Sequence, residues 1–356
     1  MTRIMGATRK LLILSPPFSA SGGVSSYVMS LRGTWPAQEK YFFRGNTGRN
    51  PIVRILLTVK GYISFFFTCL FSPGYKNVLV NTSMDRKAIT RDNLFIWIAW
   101  LLGRRVTVFI HGWDQAFFAS CPRWRLSGLF KASRIFVLSG DFKRALQQRG
   151  YKKDILVETT VVADDFIRCF DEAGPAGKPA PHILYLARLE PEKGIMTLLE
   201  AFGELSARHP GARLNIAGSG SLENEVTSYI STHHLQNITY HGLVRGQEKT
   251  ALFKESHIYV LPTTHGEGLP ISVLEAMAAG LVVVTSCAGA LNDFFRDGEM
   301  GYKMSQVTRE QVAGKIEEAI RGTGRAAGIS QFNFAYARHH FTVEKAIGRL
   351  EKEIWK

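Results

Sequence analysis

The sequence of 356 residues has few cysteines and no long uncharged apolar run. Its four cysteines lie far apart with no CxxC pair, which excludes a disulfide framework and a cysteine-based zinc site and fits a reducing compartment. Because no uncharged apolar run reaches the ~20 residues of a spanning helix, we expect no transmembrane segment. The apolar run after Lys10 is too short for a signal peptide. At roughly 150 residues per domain, the length predicts two domains.

Acidic residues are scarce in the first half of the chain. Residues 1–165 contain 24 Lys and Arg but only 9 Asp and Glu, whereas residues 166–356 contain 20 and 21. The net charges are therefore +15 and −1, and the first half is expected to face an anionic partner. A basic nucleic-acid-binding protein is the distant alternative that this charge allows. The sequence shows no zinc finger or RNP-like motif, so we expect no nucleic-acid partner.

Two apolar stretches within this basic half allow two interpretations. Residues 52–71 are interrupted by Arg54 and Lys60, and residues 94–102 precede two arginines at 104–105. Each stretch is either a helix packed into the core of an α/β domain or a helix that lies in the interface of an anionic membrane. The charge of this half adds weight to the membrane interpretation, and the sequence alone leaves both open.

Short β-rich runs alternate with helical segments in both halves. The predicted strands are 11–15, 77–81, 106–110, 135–138, 155–159, 182–187, 213–217, 237–241, 257–261 and 281–285. The predicted helices are 24–33, 52–71, 91–102, 140–149, 194–208, 221–234, 246–255, 270–279, 308–321 and 336–355. The rhythm predicts an α/β protein with two doubly wound, Rossmann-like domains, residues 1–165 and 166–335, with a linker at 171–181. Ligands are then expected at the carboxyl ends of the strands, in the cleft between the domains.

The most informative segment is 263–280, TTHGEGLPISVLEAMAAG. Seven residues separate Glu267 from Glu275, glycines flank Glu267, and Pro270 suits the first turn of a helix that then carries Glu275. The N–H groups of that first turn form an anion site suited to a diphosphate. One carboxylate can then reach sugar hydroxyls near the anion, and the other can bind a ribose diol.

This segment resembles the EX7E signature of family 4 retaining glycosyltransferases, which have the GT-B fold. The usual pattern is EGFP, LEAMA and GxPVV; here Leu269 replaces the phenylalanine and Leu281 the proline. The resemblance implies transfer of a sugar from a nucleotide-diphosphate sugar, with UDP the most frequent nucleotide. It also implies two domains facing across a cleft and a C-terminal helix, 336–356, that packs back on the N-terminal domain.

A second match is LARLEPEKG at 186–194, which is similar to the family's GRLxxEKG segment. Arg188 and Lys193 stand where the family's arginine and lysine hold the donor diphosphate. Two cations can neutralise a pyrophosphate and stabilise the charge that grows on the departing nucleotide. Because these two cations can neutralise the diphosphate, and because no Asp-x-Asp pair follows a strand, we expect no metal and no cofactor.

Further segments correspond to donor and acceptor sites of the family. Gly22 and Gly23 open a helix after the first strand, and His111 ends a strand where the family places a histidine near the donor sugar. Trp113 and Asp114 follow it and are predicted to bind the acceptor. The predicted donor-binding residues are Gly22, Gly23, Arg188, Lys193, Gly218, Gly242, Leu243, Val244, Gly268, Leu269, Pro270, Ile271 and Glu275.

The predicted catalytic residues are Glu267, His111, Arg188 and Lys193. Glu267 orients the donor sugar or acts as a nucleophile, and the resemblance favours a front-face reaction that retains the anomeric configuration. Two segments depart from the family pattern: residues 288–293 replace GGxxE, and residues 160–166 replace NGVD. These departures leave the glutamate pair intact.

The acceptor is expected to be a glycan or a lipid-linked glycan, as in surface polysaccharide biosynthesis, because the basic half and its apolar stretches suit an anionic membrane surface. We therefore expect a cytoplasmic protein, peripheral at the inner face of the cell membrane. Two alternative activities share the fold. A nucleotide-sugar epimerase would need no acceptor, and a sugar phosphorylase would need orthophosphate.

Overall fold

The computed structural model describes residues 9–20, 22–44, 51–170, 181–235, 237–264, 268–286 and 288–356. The strands are β1 (Lys10–Ser15), β2 (Gln38–Phe43), β3 (Asn77–Met84), β4 (Arg105–Trp113), β5 (Arg134–Val137), β6 (Asp154–Val157), β7 (His182–Leu186), β8 (Arg213–Ala217), β9 (Ile238–Tyr240), β10 (Ile258–Leu261), β11 (Val282–Ser286) and β12 (Gly301–Met304). The helices are α1 (Gly23–Leu31), α2 (Pro51–Phe71), α3 (Arg86–Leu101), α4 (Gln115–Ser120), α5 (Gly140–Gln148), α6 (Asp164–Ile167), α7 (Ile195–Arg208), α8 (Glu223–Thr232), α9 (Gly246–Glu255), α10 (Ile271–Ala278), α11 (Ala290–Phe294), α12 (Arg309–Arg321), α13 (Thr323–His340) and α14 (Val343–Ile354).

The strands form two parallel sheets of six. The order is β2-β1-β3-β4-β5-β6 in the first sheet and β12-β11-β10-β7-β8-β9 in the second. Ile13 on β1 pairs with Tyr41 on β2 and with Leu79 on β3, which sets the register at the centre of the first sheet. Apolar runs such as VVVTS in β11 are buried throughout, as strands between two layers of helices require. The predicted α/β class with doubly wound sheets is confirmed.

The chain divides into two compact units. The first comprises Met1–Thr160 and Val343–Lys356, and the second comprises Val161–Thr342. Helix α14 therefore belongs to the first unit although it follows the second in the chain. A charged pair stabilises this return: on α14, Arg349 Nη2 lies 2.6 Å from Oε1 of Glu158, just after β6, and Nε lies 3.0 Å from Oε2. Bidentate pairs of this kind are among the stronger polar contacts in proteins.

The end of the chain differs from the predicted elements. The helix expected at 336–355 is two helices, α13 and α14, separated at Phe341 and Thr342. Helix α13 buries Asn333 completely, and the Asn333 amide donates to the carbonyls of Leu281 and Met300 at 2.9 and 2.8 Å. Because this buried stripe includes polar side chains, apolar periodicity does not reveal it.

Two edge strands also lie outside the predicted elements. Strand β2 reads QEKYFF, and its polar first half reflects an edge position in which it pairs only with β1. Strand β12, at the edge of the second sheet, has only four residues. Edge strands carry weaker apolar patterns because one of their sides faces no neighbour.

Helix α2 buries only one side. Phe65 and Cys69 are buried, whereas most of its other apolar side chains are exposed. The interpretation of residues 52–71 as a core-packed helix is therefore only partly right. Within the part of the chain that the structure describes, no helix is long and apolar enough to cross a membrane.

An ion pair is buried in the first unit. Arg44, just after β2, places Nε 2.9 Å from Oδ1 of Asp92 on α3, and both side chains are buried. Thr82 on β3 donates to Asp92 Oδ2 at 2.5 Å, and Arg91 Nε lies 2.7 Å from Oδ1. Arg44 also donates to the Leu14 carbonyl at 3.2 Å. Burial lowers the pKa of Arg44 to about 10, so the guanidinium stays charged at neutral pH. The pair joins three strands to α3.

We expect Asp92→Asn to destabilise the first unit by about 3–5 kcal/mol, because it leaves the buried Arg44 without its counter-charge. All six tryptophans lie in this unit, so tryptophan fluorescence during urea unfolding reports on it. The matched control is Asp154→Asn, which removes an exposed partner of Arg134 and should shift the midpoint far less. Equal shifts in the two variants would contradict the stabilising role of the buried pair.

Candidate active site

The order of strands reverses once in the second sheet, between β7 and β10. Strand β7 continues to β8 and β9 on one side, while β10 leads to β11 and β12 on the other. Loops leave the sheet in opposite directions at such a reversal, and open α/β sheets bind ligands in the crevice between them. The segment with Arg188 and Lys193 follows β7, and the segment that leads into α10 follows β10. The two strongest sequence motifs therefore meet at one edge of the sheet.

Arg188 and Lys193 lie on the loop between β7 and α7. Arg188 is exposed, whereas Lys193 is only 6% exposed. The hydroxyl of buried Tyr185 lies 3.3 Å from the Arg188 carbonyl and 3.4 Å from the Lys193 carbonyl, which holds the two ends of the loop together. Burial lowers the pKa of Lys193 to about 8; the Arg188 charge acts in the same direction, and Glu192 opposes it. A bound anion would relieve the repulsion between these two cations.

Hydrogen bonds join the loop after β10 to the loop between β7 and α7. The Thr264 N–H and the Thr263 hydroxyl donate to the Glu192 carbonyl at 2.8 and 3.1 Å. The hydroxyl of Ser286, at the end of β11, donates to the Thr263 carbonyl. Glu267, three residues beyond Thr264, lies outside the described residues, so its catalytic role stays a prediction.

Helix α10 begins beside these two loops, directly after Pro270. The Tyr259 hydroxyl donates to the Leu186 carbonyl at 3.0 Å and lies 2.6 Å from Ser272 Oγ. The first turn of α10 is thereby fixed to the end of β7. The first N–H groups of a helix have no intrahelical acceptor, and together with the helix dipole they favour an anion at this end. Ile271 and Ser272 supply the first two N–H groups of α10.

Glu275, on the second turn of α10, is only 6% exposed. Lys249 on α9 places Nζ 2.6 Å from Glu275 Oε1 and also lies 5.1 Å from the ring centre of Phe166. Burial raises the pKa of Glu275, and the ammonium of Lys249 opposes that rise. Sequence reasoning does not find Lys249, because it lies 26 residues upstream of its partner in a charged helix with no motif. Only the packing of α9 against α10 reveals it.

The loops after β8 and β9 reach the same edge. Gly218 has φ +141°, and a Cβ there would lie 1.9 Å from the Ala187 carbonyl oxygen, so the position requires glycine. Its N–H donates to the Gly242 carbonyl at 2.7 Å. Leu243 is exposed and Val244 is buried. The predicted donor residues that the structure places along this edge are Arg188, Lys193, Gly218, Gly242, Leu243, Val244, Gly268, Leu269, Pro270, Ile271 and Glu275.

His111 lies on β4 of the first unit, partly buried against aromatic rings. Its ring centre is 4.1 Å from that of Phe109 and 4.5 Å from that of Tyr27. Nε2 lies 2.9 Å from Asn81 Oδ1, which can only accept, so Nε2 carries the proton of the neutral ring. Burial lowers the pKa of His111 to about 3, and the Arg44 charge acts in the same direction. The imidazole is therefore uncharged at neutral pH.

Gly22 and Gly23 form the start of α1, as the sequence pattern predicts. Gly22 has φ +139°, in the region that favours glycine, and α1 has no side-chain cap. The first turn therefore keeps its N–H groups without a capping side chain, and contact with the donor stays a prediction.

The structure argues against Trp113 as an acceptor residue, whereas the acceptor role of Asp114 stays a prediction. Trp113 is buried, its ring is stacked on Phe142 with centres 4.5 Å apart, and its Nε1 donates to Gln115 at 2.9 Å. A sugar cannot stack on a ring whose face is already covered by another side chain. The Asp114 carboxylate accepts from the Phe117 N–H at 2.9 Å and so caps α4. Both side chains have structural partners that the sequence pattern did not indicate.

Among the described residues, no three His, Cys, Asp or Glu side chains come together as metal ligands. Glu267 is not among these residues, and the expectation of a metal-free reaction stays a prediction.

Solved structures share the fold of the whole chain. The chain is similar to Anabaena HepE in complex with UDP and glucose, with a TM-score of 0.71 and 17% identity, over 97% of this chain and 98% of that one. At this identity the likeness shows the fold alone. The two doubly wound sheets with their flanking helices have the GT-B architecture of glycosyltransferases, as the resemblance implies.

The part of the chain that carries the site is similar to a known family. Residues 170–333 match the model of the family Glycosyl transferases group 1. One relative is the glycogen synthase of Mycobacterium tuberculosis, 35% identical over 52% of this chain and 45% of that protein. Another is the putative colanic acid biosynthesis glycosyltransferase WcaL of Salmonella typhimurium, 26% identical over 39% of this chain and 36% of that protein. The matches span less than half the length of these relatives.

We expect the ammonium of Lys193 to titrate near pH 8, because burial and Arg188 both disfavour its charged form. NMR titration of the lysine side chains in the full-length protein measures this value. In Arg188→Ala the pKa of Lys193 should rise, and in Glu192→Gln it should fall, since the first variant removes a like charge and the second an opposite one. An unchanged Lys193 titration in both variants would show that neither charge acts on it.

Proposed function

We propose that this protein is a retaining glycosyltransferase that moves a sugar from a nucleotide-diphosphate sugar to an acceptor hydroxyl. One observation carries the proposal: the loop with Arg188 and the buried Lys193 begins at the end of β7, to which Tyr259 fixes the first turn of α10, where the strand order of the second sheet reverses. Two cations and a helix N-terminus form a site for a diphosphate rather than for a neutral ligand.

The diphosphate is the leaving group of the proposed reaction. As the bond from the anomeric carbon to the diphosphate oxygen breaks, negative charge grows on that oxygen, and Arg188 and Lys193 stabilise it. In a front-face reaction the acceptor oxygen bonds to the anomeric carbon from the side that the diphosphate leaves. The proton of the acceptor hydroxyl passes to the departing phosphate oxygen. The anomeric configuration is retained, and the products are the glycoside and the nucleoside diphosphate.

The remaining site residues orient the donor. We assign Glu275 to the ribose hydroxyls, with Lys249 fixing its carboxylate, and the backbone around Gly242 to the base. Glu267 is assigned to the donor sugar, where its carboxylate can also support positive charge at the ring. The family resemblance assigns His111 to the same sugar; because its Nε2 proton is donated to Asn81, the Nδ1 atom of the neutral imidazole can accept a hydrogen bond without adding charge.

UDP is our proposed nucleotide, and a glycan or lipid-linked glycan in surface polysaccharide biosynthesis is our proposed acceptor. The structure of HepE in complex with UDP and glucose supports UDP as the nucleotide. The similarity to WcaL, a putative colanic acid biosynthesis glycosyltransferase, supports the proposed acceptor. The net charge of +15 over residues 1–165 supports an anionic membrane surface as partner. We accordingly propose a cytoplasmic location, peripheral at the inner face of the cell membrane.

Glu267→Ala, Arg188→Ala and Lys193→Ala should each lower transfer by about 10²–10³-fold, because each removes a group that interacts with the charge developed in the transition state. The measurement is nucleotide release with a panel of donors, with and without a lipid-linked acceptor, and circular dichroism checks that each variant folds. Arg213→Ala is the matched control, since Arg213 is exposed at the opposite end of β8.

Full activity in Glu267→Ala would contradict the assignment. Nucleotide release that needs no acceptor would instead favour an epimerase, and release that requires orthophosphate would favour a phosphorylase.

We expect transfer to persist in EDTA, because two side-chain cations and a helix N-terminus are proposed to neutralise the diphosphate. Initial rates before and after extensive chelation, and after addition of Mg²⁺ or Mn²⁺, measure this. Loss of activity on chelation, with recovery on adding one of these ions, would overturn the metal-free mechanism while leaving the proposed glycosyl transfer in place.

A further inference from the structure

Helix α2 exposes an unusual amount of apolar surface. Eleven of its large apolar side chains are at least 39% exposed. They are Ile52, Val53, Ile55, Leu56, Leu57, Val59, Ile63, Phe66, Phe67, Leu70 and Phe71. Scattered apolar residues are normal on protein surfaces, but a contiguous patch of this kind marks an interaction site.

The inner side of α2 packs on the first unit. Phe65 is buried with its ring centre 5.0 Å from that of Phe42 and 5.1 Å from that of Phe95. The Tyr62 hydroxyl donates to the Arg91 carbonyl at 3.2 Å. The helix therefore lies along the unit with its axis held at several points, rather than projecting from it.

Helical geometry identifies the residues on the outer side of α2. At about 100° per residue, Leu56, Ile63, Phe67 and Leu70 point within about 40° of the direction opposite to Phe65. We call these four residues the α2 apolar face. All four are exposed, and Phe67 is 48% exposed. Four large apolar side chains thus line one side of the helix over about four turns.

The neighbouring helix α3 exposes a tryptophan near its end. Arg104 donates to the carbonyls of Cys69 and, at 3.1 Å, Pro73, which joins the ends of α2 and α3. Near the end of α3, Trp100 is exposed, and Lys131 Nζ lies 4.2 Å from its ring centre. Indole rings next to cationic side chains are typical of protein surfaces at the level of lipid headgroups.

The surrounding chain is almost without acidic side chains. Residues 40–140 contain fifteen Lys and Arg and three Asp. Asp85 and Asp114 are the N-caps of α3 and α4, and Asp92 is buried against Arg44. All three carboxylates therefore have partners within the fold, and the charge that this region presents to its surroundings is positive.

We propose that the α2 apolar face inserts into the surface of an anionic phospholipid bilayer, with α2 lying in the plane of the interface and the basic side chains around it contacting lipid headgroups. In-plane helices place their apolar side chains about 5–10 Å into the boundary between headgroups and acyl chains. Apolar area and attraction to anionic lipid both add to the affinity. This inference rests on the proposed function, because it identifies the surface by which the enzyme would reach a membrane-bound acceptor.

A second copy of the chain is the competing occupant, and the charge argues against it. A two-fold dimer would place the same patch on both sides of the interface. Lys60, on α2 itself, and the basic side chains near α3 would then face their own copies, and like charges placed opposite each other weaken an interface.

The test is vesicle flotation of the full-length protein. The wild type should bind vesicles of phosphatidylcholine with phosphatidylglycerol, bind vesicles of phosphatidylcholine alone much more weakly, and dissociate as salt rises. The double variant Leu56→Glu, Phe67→Glu should bind anionic vesicles more than about tenfold more weakly. Val157→Glu is the matched control, since Val157 is an exposed apolar residue on edge strand β6 of the same unit, and it should bind as the wild type does.

The affinity of each of these proteins for UDP is measured by calorimetry and should be the same. An unchanged affinity shows that the second unit is intact.

The proposal would be overturned if the double variant bound vesicles as the wild type does, or if the wild type did not bind. A dimer in solution that the double variant abolishes, without vesicle binding, would assign the face to a second copy. Resistance to extraction by alkaline carbonate would contradict in-plane docking. Vesicle binding without sugar transfer would leave the docking surface standing and remove the proposed function.

Discussion

Parallel pairing is the constraint on which the rest of this structure depends. In a parallel sheet every strand ends at the same edge, so the loops after β7, β8, β9 and β10 emerge together. Reversal of the strand order between β7 and β10 then opens a space between loops that would otherwise cover each other. The residues of the candidate site are up to 87 positions apart in the chain, from Arg188 to Glu275, and they meet because of this topology.

The two units differ in how their buried charges are compensated. In the second unit, Arg188 and a buried Lys193 are held close together, and burial with like-charge repulsion lowers the pKa of Lys193 to about 8. Perturbed pKa values of this kind are typical of functional sites, which supports the anion site proposed above. In the first unit the buried charge is compensated internally, since Arg44 pairs with Asp92. Its excess positive charge lies outside that pair.

Much of the candidate site was predictable because each of its two main segments is local in sequence. The EX7E segment and the LARLEPEKG segment each combine a strand end with charged and small residues, and these patterns do not depend on distant contacts. Lys249 was not predictable, since its meaning comes from Glu275 on another helix. Trp113 and Asp114 follow His111 closely in sequence, and the fold gives Trp113 a stacking partner and Asp114 a capping role that the sequence does not reveal.

The sequence by itself determined the α/β rhythm, the chemical nature of the donor motifs and the charge difference between the halves, because these depend on residue type and spacing. Tertiary structure decided which strands are neighbours, that Lys193 is buried, that α14 belongs to the first unit, and which side of α2 is exposed. The same apolar run, residues 52–71, fits a core helix or a surface helix equally well. Burial is a property of what packs against a residue, and the residue's own chemistry does not specify it.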